Sequence, residues 1–271
     1  MIKEKKIIKH IVSWLKKYIK KSKLNGFIVG ISGGIDSSVT SYLTAMTQYP
    51  TIVLEIIIGK KKYKTLSQKH AEFLISKFSN VRFLQKDIDS LFDFFCENII
   101  SNISQNKKNK KNMLALANLK SRIYMLILYY YANINNFLVV GTGNKIEDFG
   151  IGFFTKYGDG AVDIHPIADL YKSEINILAK ELNIIREIQE AKPTDGLWED
   201  QRSDEDQLGA NYKDLEWAMI NENKQNNFVS KKEHRIIKLY KKLHKKNQHK
   251  MISIPVCKIP FCLKQEKIKI T

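Results

Sequence analysis

The chain has 271 residues, 44% hydrophobic and 27% charged, enough for one large domain with a full core and unlike the composition of a disordered chain. Its longest apolar runs, 52–58 and 125–132, fall short of a bilayer span, and its lysine-studded start lacks the apolar core and cleavage site of a signal peptide. The formal charge is +17, but only five of the 45 basic residues are Arg, which weakens a nucleic-acid reading because phosphate and base recognition lean on the planar Arg fork.

In chain order, apolar residues at 8, 11, 12, 15, 18 and 19 between lysines predict an amphipathic helix covering the edge of a core. An apolar run at 27–31 predicts a strand that ends in Ser32-Gly33-Gly34, and a helix follows over 37–47. A second strand at 51–58 closes at Gly59; helix 64–78 and strand 81–85 come next. Residues 88–104 read as a helix, 105–112 as a polar loop and 113–132 as a long apolar helix. The Tyr129-Tyr130-Tyr131 run on that helix suits a core face or a dimer interface. A fourth strand at 137–140 ends at Gly141-Thr142-Gly143, a short fifth falls at 162–164, and helices dominate from there to a basic tail at 257–271.

Continuous apolar strands alternating with helices predict an α/β fold, a doubly wound parallel sheet of about five strands with helices on both faces. No repeat and no Pro- or Ser-rich linker interrupts it, so 1–271 reads as a single domain. The charge is segregated. Residues 1–23 carry nine Lys and one Glu, and 229–271 carry thirteen Lys and Arg and two Glu, whereas 141–217 carry eight basic and seventeen acidic residues. Solvated lysine faces at both ends account for the excess without a polyanionic partner. Cys96, Cys257 and Cys262 have no metal-like spacing, and so sparse a count fits a reducing, cytoplasmic setting; Cys96 reads as core.

The chemistry gathers at two glycine clusters, both at predicted strand ends, where doubly wound folds bind ligands. In Gly30-Ile31-Ser32-Gly33-Gly34-Ile35-Asp36-Ser37-Ser38, glycine lets the backbone approach a ligand closely, and the following helix offers free N–H groups to a phosphate-sized anion. The Gly-Lys-Ser/Thr ending of a Walker loop is missing. Asp36 would repel a phosphate unless it holds a bridging Mg²⁺. A Gly-Gly turn with Ser and Asp as helix-capping residues is the plainer alternative.

Ser-Gly-Gly-Xaa-Asp-Ser resembles the pyrophosphate-binding loop of the N-type ATP pyrophosphatases, whose fold is adenine nucleotide alpha hydrolase-like. The second block runs Gly141-Thr142-Gly143-Asn144-Lys145-Ile146-Glu147-Asp148, then 152–160 (Gly-Phe-Phe-Thr-Lys-Tyr-Gly-Asp-Gly), Val162 to Ile167, and Leu170-Tyr171-Lys172. It resembles the signature of the ammonia-dependent NAD synthetases, supported by 118–122, Lys192-Pro193-Thr194, Leu197-Trp198 and Asp204-Glu205. That resemblance implies ATP binding by Gly30, Ile31, Ser32, Gly33, Gly34, Ile35, Asp36 and Ser37, with Thr142, Lys172 and Thr194. It implies Mg²⁺ on Asp36 and Glu147, and deamido-NAD on Arg122, Lys156, Asp163, His249 and Lys250.

The implied reaction has two steps. The nicotinate carboxylate of deamido-NAD attacks the α-phosphorus of ATP and expels pyrophosphate; ammonia then displaces AMP. Asp36 and Lys172 would be catalytic, Lys172 neutralising the leaving pyrophosphate, and Asp159 or Asp163 is a candidate to attract ammonium and accept its proton. Taken singly, Glu147 and Asp148 also suit first-turn helix carboxylates, Lys172 a surface lysine and Arg122 a structural ion pair. The chain departs from the pattern at His165, which reads as a packed, hydrogen-bonded residue, at Ala161, and at 59–62 (Gly-Lys-Lys-Lys), where the adenine side of the pocket is expected. The partners expected are ATP, deamido-NAD, ammonia and a second copy of the chain, with no membrane and no nucleic acid. A tRNA-modifying adenylating enzyme or RNA-binding relative with the same loop is the alternative. Only 29 residues precede Gly30, too few for the amidase domain of glutamine-using relatives, so free ammonia is the expected nitrogen donor.

Overall fold

The computed structural model describes residues 2–58, 65–99, 110–194, 203–222 and 230–264. The segment 59–62, Leu197-Trp198, residues 105–109 of the polar loop and 265–271 of the tail lie outside the described residues.

Strands β1 (Gly26–Gly30), β2 (Thr51–Ile57), β3 (Val81–Asp87) and β4 (Phe137–Val140) pair in parallel in the order β3-β2-β1-β4. Neighbouring residues of these strands bury opposite faces. Phe27, Val29, Leu138 and Val140 meet α1 (Ile2–Ser22), α2 (Ile35–Ala45) and α6 (Lys172–Glu181). Ile28, Ile52, Leu54 and Val139 meet α5 (Lys110–Asn135). Burial on both sides is why these strands read as unbroken apolar runs. Each fully buried Val, Leu, Ile or Phe contributes about 1.5–3 kcal/mol to holding the layers together.

Several expectations change on folding. The fifth strand shrinks to one parallel bridge between Val140 and Ile164. Asp163 stops the ladder, because its carboxylate takes the Val139 N–H at 2.7 Å, and Pro166 has no N–H with which to extend it. On α1 the buried stripe is Ile8, Ile11, Leu15 and Ile19; Tyr18 turns outward instead and leans on Trp14, ring centroids 5.5 Å apart. The helix expected from 88 is α4 (Asp89–Phe94), which passes into a π-turn at Phe95–Ile99 that leaves Cys96 only half-buried. Residues 110–112, expected in the polar loop, open α5.

α3 (Leu66–Lys77) packs on Val53 and Val81, started by a capping box between Thr65 and Gln68. A second core lies past β4, where Ile146 and Ile151 meet Leu215 and Tyr240 of α9 (Tyr212–Asn221) and α10 (Lys231–Met251). Two short helices, α7 (Arg186–Glu190) and α8 (Asp204–Leu208), complete the set described here. The strand order reverses between β1 and β4, so the crevice beyond their carboxyl ends is the switch point of the sheet. No helix among the described residues is long and apolar enough to cross a membrane.

Candidate active site

The loop after β1 and the loop after β4 flank that crevice, and a cavity of about 1120 Å³ opens between them. Gly33 has φ +84°, a left-handed conformation that favours glycine, and turns the chain from β1 into α2. Ser37 and Ser38 donate to Gly34 O at 3.0 and 2.9 Å, which fixes the loop on the first turn of α2. The first N–H groups of that helix have no acceptor within it and face the crevice, an anion-binding arrangement.

Asp36 and Lys172, far apart in sequence, meet as a buried ion pair. Lys172 opens α6, and its Nζ lies 3.5 Å from Glu147 Oε1 and 4.9 Å from the centre of the Tyr212 ring. Burial works against the Lys172 ammonium, but Asp36 and Glu147 outweigh it and hold its pKa above the usual lysine range. Burial pushes the Asp36 carboxyl up to about 6, with Lys172 pulling against it and Glu147 adding to the rise. Glu147 sits on a π-helix, Lys145–Ile151, capped by Asn144, whose Oδ1 accepts from the N–H groups of Ile146 and Glu147 at 3.1 Å. The wider i→i+5 turn is frequent at functional sites.

Asp159 enters from the turn after the π-helix. Its Oδ1 accepts from Ser121 Oγ at 2.6 Å and from Thr155 N at 2.9 Å, while Thr155 Oγ1 donates to Asn118 at 2.8 Å. Thus 118–122 anchors the 152–160 segment from α5. The loop residues Gly30 to Ser37, together with Thr142, Glu147, Asp159, Lys172, Thr194 and Lys250, all border the cavity.

The chain belongs to the NAD synthase family.

The family's profile matches residues 7–253. Curated relatives 32–37% identical are NH(3)-dependent NAD(+) synthetases; that of Methanocaldococcus jannaschii is 37% identical over 210 residues, 78% of each chain. Among solved structures, NMN synthetase from Francisella tularensis is 28% identical with a TM-score of 0.79, and the NH3-dependent NAD synthetase of Campylobacter jejuni is 26% identical with a TM-score of 0.72. Each alignment covers 94% of this chain and 99% of the other.

Within this family's fold, four expected residues stand away from the cavity lining. Arg122 donates to Lys156 O at 3.3 Å, and Lys156 Nζ to His249 O at 2.8 Å, a surface string that ties α5 to the end of α10. Lys250, next along α10, donates to Phe154 O at 2.6 Å and reaches the rim. Asp163 is taken up by Val139 N–H and by the Tyr129 hydroxyl at 3.1 Å. Tyr212 was not legible in advance. It is buried, donates to Glu147 Oε1 at 2.5 Å and lies 3.3 Å from Asp204 Oδ2. Nothing in its local sequence marks it beyond the Asn211 helix cap that precedes it. Glu216 likewise carries no local sequence signal; it accepts from Ser173 N and Oγ at 3.0 and 2.7 Å and so fixes the start of α6 beside Lys172.

Proposed function

We propose that the chain is a carbon–nitrogen ligase that adenylates deamido-NAD with ATP and then amidates it with ammonia to NAD. The observation that carries this reading is the Asp36–Lys172–Glu147 cluster beside a phosphate-sized loop at the switch point. A free carboxylate is a poor electrophile. Attack of the nicotinate carboxylate on the α-phosphorus supplies AMP as a leaving group, and ammonia then displaces it. The loop N–H groups and the Lys172 ammonium face the charge that accumulates on the departing pyrophosphate, so this chain's share of the work is positioning and charge stabilisation.

Mg²⁺ fits the donor set. Asp36 Oδ1 is buried with no hydrogen-bond partner, and Glu147 carries a second carboxylate to the same lysine. Among the described residues no three His, Cys, Asp or Glu are grouped to hold a metal unaided. That suits an ion held by one or two carboxylates plus substrate phosphates and water. Asp36 and Glu147 would hold it, and its charge would neutralise phosphate oxygens. Arg122, Lys156, Asp163, His249 and Lys250 are the proposed deamido-NAD contacts; those outside the cavity lining lie toward a surface that a second subunit would complete.

A homodimer is part of the proposal. The outer stripe Leu126, Tyr130 and Ile134 on α5, with Leu91 and Phe94 on α4, is exposed apolar surface of the kind that subunit contacts cover. The neighbouring fold of an NMN synthetase supports a second reading, in which a mononucleotide replaces the dinucleotide; the curated relatives favour the dinucleotide. The test incubates purified protein with ATP, ammonium and either nucleotide, and follows AMP and the amidated product. Formation from deamido-NAD, with ammonia-free glutamine a poor donor, is expected. A preference for the mononucleotide selects the second reading, and turnover with neither removes both.

A further inference from the structure

α10 meets the second core with Ile236 and Tyr240, and the same helical stripe continues as His244, Asn247 and Lys250. Polar side chains half-buried on a core-facing stripe need partners, and each of these finds a backbone carbonyl in or just after the π-helix that carries Glu147. His244 Nδ1 lies 2.6 Å from Gly150 O, Asn247 Nδ2 donates to Ile151 O at 2.8 Å, and Lys250 Nζ donates to Phe154 O at 2.6 Å. A carbonyl only accepts, so Nδ1 is the ring nitrogen of His244 that carries the hydrogen. The imidazole is stacked on Tyr240, with centroids 5.9 Å apart. Helix and segment touch closely, for Gly152 has φ +62° and a Cβ on it would meet Asn247 Cβ at 2.6 Å.

These bonds fall where the π-helix most needs them. The last carbonyls of a helix have no partner within it, and the wide i→i+5 turn is a rare form. Glu147 is tied into both ends of that turn: its N–H donates to Asn144 Oδ1 at 3.1 Å, and its C=O accepts from Phe153 N at 2.8 Å. A slip of the ladder by one residue turns a side chain by about 100°, which would carry the Glu147 carboxylate away from Lys172. The donors of α10 oppose that slip, because Gly150 O and Ile151 O would have to leave them.

We infer that His244 and Asn247 are positioning residues for Glu147, holding the backbone of the π-helix so that this carboxylate and Asp36 face one divalent ion. The inference rests on the reading of Asp36 and Glu147 as the holders of Mg²⁺. His244 stands outside the cavity lining, so its effect on an ion there passes through the main chain. Asn247 borders the cavity, but its amide nitrogen is spent on Ile151 O.

The experiment compares the parent protein with His244→Phe, His244→Asn, Asn247→Leu and, as a packing control, Ile236→Val. Three quantities are read without deamido-NAD or ammonium: the affinity for Mn²⁺–ATP by the paramagnetic enhancement of water-proton relaxation, the affinity for ATP in EDTA by calorimetry, and the melting temperature. His244→Phe keeps a ring on Tyr240 and loses the donor. It should weaken Mn²⁺–ATP binding about tenfold or more, the scale of a lost outer partner of a metal ligand. ATP binding in EDTA should stay within about twofold of the parent, because the phosphate loop is distant and untouched. Asn247→Leu should behave alike. His244→Asn, whose Nδ2 stands where Nδ1 does, should recover most of the loss. Ile236→Val loosens the buried side of α10 without touching these bonds; it should lower the melting temperature and leave Mn²⁺–ATP affinity as it is. Unchanged Mn²⁺–ATP affinity in both His244→Phe and Asn247→Leu overturns the inference. So does an equal loss in EDTA, or an equal loss in Ile236→Val, either of which makes α10 a structural support alone. If His244→Phe does not fold, Asn247→Leu and His244→Asn decide. Parent binding that is indifferent to Mn²⁺ strikes the metal reading and the inference with it, whereas Mn²⁺-dependent binding that the variants do not alter strikes the inference alone.

Discussion

Asp36 and Lys172 are separated by 136 positions and meet because the loop after β1 and the start of α6 converge on one end of the sheet. Removing one charge from such a cluster changes its chemistry more than its packing. Asp36→Asn should keep the fold, read by its melting curve, yet lower pyrophosphate release roughly 100-fold or more, the scale of a lost electrostatic stabiliser. Near-normal release at ordinary Mg²⁺ would remove Asp36 from the metal site. Glu147→Gln should show a higher Mg²⁺ requirement, partly relieved by excess Mg²⁺, because it loses one carboxylate and keeps the Tyr212 contact on its amide oxygen. Gly33 gives a backbone version of the same test. At φ +84° an alanine is strained, and its Cβ would meet Leu66 Cβ at 3.0 Å and Ser67 N at 3.1 Å. Gly33→Ala should therefore raise the KM for ATP and cost about 1–2 kcal/mol of stability, measured by urea unfolding.

At the scale of elements, α2 and α3 are joined through a fully buried His70, whose Nε2 lies 2.9 Å from Ser41 Oγ. Burial depresses its pKa to about 4, so the folded state prefers neutral imidazole. Between about pH 6.5 and 4 the unfolded chain binds the extra proton, and stability falls as the pH falls through that window. The loss reaches on the order of 3 kcal/mol from this group. His70→Gln should flatten that part of the stability–pH curve; an unaltered slope would show that His70 is not its source.

The elements were largely legible in the sequence, because strands covered on both faces and an amphipathic α1 leave unmistakable periodicities. What escaped were effects of side chains on backbone. Asp163 substitutes for a ladder acceptor and cuts the fifth strand to a bridge, and Glu147 stands on a π-helix, which no period of 3.6 or 2 announces. The phosphate loop was readable because its glycines and serines act locally. Tyr212 and Glu216 were not, since each matters only through residues on distant elements.

For the whole molecule, the basic ends and the apolar α5 face make different claims. Residues of α1 and α10 spend their apolar sides on the core and expose lysines, so the charge of +17 describes a solvated surface. The exposed stripe at Leu126, Tyr130 and Ile134 predicts association. Sedimentation should give a dimer at micromolar concentration, and Tyr130→Glu, which sets like charges face to face across a symmetric contact, should shift it toward monomer. A monomer in the parent protein would set that interface aside.

One site first joins the nicotinate carboxylate to AMP and then exchanges AMP for nitrogen. Deamido-NAD labelled with ¹⁸O in that carboxylate tests it directly. If the carboxylate oxygen attacks the α-phosphorus, amide formation leaves that oxygen on AMP, so mass spectrometry should find one ¹⁸O in the AMP for each NAD made. Unlabelled AMP, or label in inorganic phosphate beside ADP, would rule out attack of that carboxylate on the α-phosphorus.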